Sequence, residues 1–67
     1  DEIVRLDDAL TLLARVDERK SRVVEMKFFG GLNIEEISEI LKISPKTVKR
    51  DWQFSRSWLL RELSKES

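Results

Sequence analysis

The chain contains no cysteine and no histidine. Without thiols, a disulfide framework and a thiolate metal site are both excluded, and a cytoplasmic location is allowed. Without imidazole, zinc fingers, Ser-His-Asp and Cys-His catalysis and nearly all transition-metal chemistry are excluded as well. Uninterrupted apolar runs stop at two or three residues, as in Leu12-Leu13-Ala14, so no segment spans a bilayer or forms a signal-peptide core. A phosphate-cradling loop is missing, since Gly30-Gly31 lacks the P-loop lysine, and no two carboxylates are set out as an acid/base pair. Neither an enzyme nor a cofactor or metal protein is expected.

Net charge is also lacking: 13 basic and 13 acidic side chains cancel. Their distribution does not. Residues 1–41 hold ten acids and six bases, a net of −4, whereas residues 42–67 hold seven bases and three acids, a net of +4. A polyanion would meet one face of such a molecule and avoid another. At 67 residues, of which 40% are hydrophobic, the chain has material for one small core and one domain.

The periodicity is helical throughout, and no segment alternates with period two. Ile3, Leu6, Ala9/Leu10, Leu13 and Val16 recur at spacings of three and four, predicting a first helix with one buried stripe and with Asp1, Glu2, Asp7 and Asp8 in its opening turns. Beginning on Asp1 without an initiator methionine, the chain reads as a fragment of a longer protein. Asp17 is a candidate cap for a second helix running through Val23, Val24, Met26 and Phe28 to the Gly30-Gly31 stop. Val23/Val24 and Phe28 are expected inward, and Arg19, Lys20, Arg22 and Lys27 outward. Those bases suit two roles: a solvated surface laced with weak ion pairs, or phosphate contacts flanking a main site.

Asn33 followed by Glu36 makes a capping-box pattern ahead of Ile37, Ile40 and Leu41, predicting a third helix of about two turns. A tight turn is expected at Lys42 to Ser44. Ser44 then caps and Pro45 occupies the first position of a fourth helix, with apolar residues at Val48, Trp52, Ser55/Leu59 and Leu63, joined by Trp58. This helix should run about 20 residues, or 30 Å. The fold predicted is an all-α, four-helix domain whose last two helices form a helix-turn-helix.

In that motif Ile37, Leu41, Ile43 and Val48 brace the second helix. Lys46, Thr47, Lys49, Arg50 and Gln53 are left pointing outward from its first turns. Lys and Arg neutralise phosphate or donate to guanine, Gln pairs with adenine, and Thr serves a phosphate or a thymine methyl. Backbone groups near Ser44 and Asn33 are further candidates for phosphate oxygens. Trp52 and Trp58 fall on the buried stripe and are expected in the core, not as base-stacking platforms. Asp51 is awkward in this arrangement. A carboxylate among groove-facing residues repels phosphate unless it accepts from a cytosine amine or orients Arg50 or a neighbouring base.

Residues 6–63 resemble region 4, the C-terminal domain of bacterial sigma factors of the extracytoplasmic-function class. The likeness is carried by VVEMKFFGGL (Val23 to Leu32), IEEISEILKIS (Ile34 to Ser44), PKTVKRDW (Pro45 to Trp52) and SRSWL (Ser55 to Leu59). The segment SPKTVKR alone is equally similar to the LuxR-type response-regulator output domain, a DNA-binding alternative. The FFGGL ending and the unbroken Trp-containing last helix are similar to the sigma pattern. By resemblance, the last helix docks in the major groove of the upstream (minus thirty-five) promoter hexamer while another surface binds the beta-subunit flap of RNA polymerase. The groove-reading roles would fall on Ser44, Lys46, Thr47, Lys49, Arg50 and Gln53, with Asn33 near the DNA backbone. An anti-sigma factor is a further partner this family implies, and a role as a helical protein-interaction module follows from it. Two residues depart from the pattern: Lys42 stands where many helix-turn-helices have glycine, and Asp51 where the family is often basic.

Overall fold

A computed structural model describes residues 2–65, with side chains described from Arg5 onward. Four helical segments follow in order: α1 (Glu2–Val16), α2 (Glu18–Val24, extended by a π-helical turn over Glu25–Phe29), α3 (Ile34–Leu41) and α4 (Pro45–Ser64). Among the described residues there is no strand. The all-α prediction and the four boundaries hold. The side chain of Ile3 and the acids Asp1 and Glu2, placed by sequence in the first turns of α1, lie outside what is described.

Local chemistry explains where each helix starts. The Asp17 carboxylate accepts from the Lys20 N–H at the head of α2. Asn33 and Glu36 close a full capping box on α3: Asn33 Oδ1 accepts from the Glu36 N–H at 2.8 Å, and Glu36 Oε1 accepts from the Asn33 N–H at 2.9 Å. Ser44 Oγ accepts from the Thr47 N–H, with Pro45 following at the first helical position. Such caps satisfy N–H groups that have no partner inside the helix.

The stops are equally local. Gly31 takes φ +68°, while a Cβ on Gly30 would lie 2.7 Å from the Met26 carbonyl oxygen. That carbonyl accepts from the Leu32 N–H, so the glycine pair both turns the chain and lets it close tightly over the π turn. At the end of α3, Lys42 is left-handed (φ 58°, ψ 41°) and its N–H donates to the Ser38 carbonyl.

Two apolar clusters share one residue. Ala9, Leu10 and Leu13 of α1 meet Val24 of α2 and Leu59 of α4, with Leu6, Trp58 and Leu63 at the edge. Val23, Ile37 and Val48 form the second cluster, with Met26, Leu32, Leu41 and Ile43 around them. Trp52 packs against both. Each fully buried aliphatic side chain contributes about 1.5–3 kcal/mol. The predicted bracing of α4 by Ile37, Leu41, Ile43 and Val48 is therefore the second cluster, and both tryptophans are core as expected. The 36 Å long axis of the domain approaches the length of α4.

Two apolar expectations are corrected, those for Val16 and Phe28. Val16 is 61% exposed, because the chain turns at Asp17 and no element covers the last turn of α1. Ile40 is 54% exposed on the outer side of α3, which buries Ile37 and half-buries Leu41. Phe28, expected inward, is 63% exposed like Phe29. The wider π turn rotates both rings off the stripe begun by Val23 and Val24, and they pack edge to face at 5.5 Å between centroids.

Candidate nucleic-acid interface

α4 separates two faces. Inward, at spacings of three and four, lie Val48, Asp51, Ser55 and Leu59, all buried. Outward lie Lys46, Lys49, Arg50 and Gln53, all exposed. Among the described residues, none of these four side chains has an intramolecular hydrogen bond or ion pair. Lys46, Arg50 and Gln53 fall within one stripe, with Lys49 beside it. They are donors held on a braced helix, and among the described residues no protein group takes up their hydrogen bonds.

Ser44 and Thr47 sit at the head of the same helix, their hydroxyls 2.9 Å apart. Thr47 is half-buried and Ser44 exposed. The first turn of α4 has no acid, so the positive end of the helix dipole is reinforced by Lys46. Six of the seven residues named from sequence thus gather at one helix end. Asn33 does not join them: it caps the far end of α3, about 12 Å along that helix from the turn, and Glu35 and Glu36 crowd its first turn.

Asp51 is not a groove-facing residue. Its side chain is 2% exposed and accepts from Arg19 Nε at 2.7 Å and from Arg19 Nη2 at 3.2 Å. Lys20 Nζ lies 3.4 Å from Asp51 Oδ1, the oxygen that also accepts from Arg19 Nη2, and 3.0 Å from Asp17 Oδ2. Hydrogen bonding to Asp51 raises the pKa of Arg19, and hydrogen bonding to Asp17 raises that of Lys20. Bonding to Lys20 in turn lowers the pKa of Asp17. The expectation that Arg19, Lys20, Arg22 and Lys27 all look outward is corrected accordingly. Lys20 and Lys27 are half-buried and lie over the rings of Phe54 and Trp52, at 5.1 and 5.4 Å. Arg22 remains exposed, and Arg19 is half-exposed but bound to Asp51.

Spacing alone could have placed Asp51 inside, since it stands three residues after Val48 and four before Ser55. Its partners lie 32 and 31 residues away in sequence, and no local signal marks them.

Beyond Trp52, α4 contributes Arg56, Leu59, Leu60 and Leu63 to an apolar groove of about 640 Å³, closed by Leu6 and Leu10 of α1 and by Phe28 and Phe29. One helix thus offers free donors in its first half and an apolar trough along its second.

A family model described as ECF sigma factor matches residues 1–65. The chain belongs to the ECF sigma factor family. The match spans the whole helix-turn-helix, the segment SPKTVKR included. No curated protein and no solved structure matches the chain. ECF sigma factors are non-catalytic proteins that act in transcription initiation with RNA polymerase and promoter DNA, and the four-helix fold is in keeping with their region 4. Among the described residues of this sigma factor chain, no helix is long and apolar enough to cross a membrane.

Proposed function

We propose that this chain is a single region 4 domain of a longer cytoplasmic sigma factor, and that it reads the minus thirty-five promoter element through the first turns of α4. The observation that carries this reading is the row of unsatisfied donors Lys46, Lys49, Arg50 and Gln53 on an otherwise braced helix. Arg50 and Gln53 are the base readers, Lys46 and Lys49 meet phosphate or guanine, and the Ser44 and Thr47 end of the helix receives a phosphate. Asn33 serves only a flanking backbone contact, through the amide nitrogen its capping box leaves free. The domain reads duplex DNA without opening it and performs no chemistry.

The apolar groove supports a second contact. Its Phe28, Phe29 and Leu60 are about 60% exposed, an apolar lining suited to an apolar helix such as one from the beta-subunit flap of RNA polymerase. An anti-sigma factor would compete for the same surface.

Selection of duplexes from a random pool, followed by titration of the winning duplex, tests the DNA reading. Arg50→Ala should cost about 1–3 kcal/mol on the selected duplex and relax one base position. Lys49→Ala should lower the slope of log affinity against log salt by about 0.9. Binding unchanged in both variants rejects the assignment of α4.

A further inference from the structure

The inner face of α4 is apolar at Val48, Trp52 and Leu59, yet one of its most deeply buried positions holds a carboxylate, Asp51. Its partner Arg19 is half-exposed, and burying a carboxylate carries a desolvation cost that an apolar residue of the same size would avoid. Apolar contacts are also non-directional, whereas the two-point contact from Arg19 Nε and Nη2 to Asp51 Oδ2 and Oδ1 fixes an angle as well as a distance. Lys20 adds a second cation at Oδ1, and its ammonium lies over Phe54 one turn further on. The first turn of α2 therefore grips α4 at the residue that follows Arg50.

We propose that Asp51 is a positioning residue of the DNA reader: held by the Arg19 fork, it sets the rotation of α4 about its own axis, and so aims Lys46, Arg50 and Gln53. This rests on α4 being the DNA-contacting helix. A rotation of about 10° moves a side chain about 5–6 Å from the axis by about 1 Å, which exceeds the tolerance of about 0.5 Å within which a recognition group is productive. Asp51 touches no DNA. It acts through the side chains it orients.

Charge and positioning predict opposite results for Asp51→Asn. Removing one negative charge should by itself tighten binding to every duplex. Loss of positioning should instead lower affinity for the selected duplex about tenfold relative to a scrambled duplex of the same composition. The full chain is titrated with both duplexes as wild type, Asp51→Asn, Arg19→Lys and Arg22→Ala. Arg19→Lys keeps the charge but not the fork, and it carries the test if Asp51→Asn fails to fold. Arg22 is exposed on the same helix and outside the network.

The readout is the ratio of the two affinities, because partial unfolding lowers both equally and leaves the ratio alone. The expected result is a reduced ratio in Asp51→Asn and Arg19→Lys and an unchanged one in Arg22→Ala. A wild-type ratio retained in the first two overturns the positioning role while leaving α4 as the reader. A wild-type protein without any preference between duplexes overturns both.

Discussion

Ser38 Oγ donates to the carbonyl of Ile43 across the turn that joins the two helices of the motif. The Ile43 N–H returns a bond to the Ser38 carbonyl at 3.2 Å. Between them Lys42 is forced into a left-handed conformation, φ 58°, which costs a residue with a Cβ about 1 kcal/mol. Lys42→Gly should therefore stabilise the domain by about 0.5–1 kcal/mol, net of the extra freedom glycine gives the unfolded chain. Thermal melting should show a midpoint about 5 °C higher, with DNA affinity changed only by the lost charge.

The two glycines after the π turn should respond differently to alanine. At Gly31 there is open space, so only the φ of +68° resists, and about 1 kcal/mol is lost. At Gly30 the new methyl would meet the Met26 carbonyl oxygen at 2.7 Å. This oxygen belongs to backbone already bonded to Leu32, so the turn must open. Urea unfolding should rank Gly30→Ala as the more damaging of the two, with Phe28 and Phe29 displaced and groove binding weakened.

Acid should act through Asp17. Its carboxyl is held below the ordinary value of 3.8, chiefly by the Lys20 ammonium. A lowered folded pKa means that the stabilisation is complete above the unfolded value and is lost as pH falls through the folded one. Lys20 is raised above 10.5, first by Asp17, so its contribution is complete below that value and is lost only as pH rises through its folded pKa. Asp17→Asn keeps a good cap but removes the ionisation. Urea midpoints of wild type and variant should differ at neutral pH and converge as pH drops below 3.8.

Leu60 is 58% exposed on the wall of the apolar groove. Leu60→Glu should leave the melting curve within about 0.5 kcal/mol of wild type, since the side chain is already in water. Association with RNA polymerase core, measured by co-sedimentation, should fall at least tenfold. DNA binding by the isolated chain should change little.

What was legible in the sequence is what is decided within four residues. Asp17, Asn33 and Ser44 announce helix starts because a cap accepts from its own helix, and Gly30-Gly31 announces a stop for the same reason. The outward row on α4 was legible too, as the complement of Val48, Trp52 and Leu59. The burial of Asp51 is not legible from residue type, since a carboxylate belongs in water unless it has a partner, and Arg19 lies 32 residues away. The exposure of Phe28 is hidden because the pattern assumes 3.6 residues per turn, and the π turn breaks that count. The groove was invisible for a similar reason, being assembled from α1, the π turn and the end of α4.

Trp52 belongs to both apolar clusters. Neither cluster can open without exposing one side of that indole, so the two halves should melt together. The helix that would face DNA and the groove that would face protein are therefore spokes on one hub. A ligand that tightens either half should slow hydrogen exchange in the other by the same free energy, even with no change of shape between them.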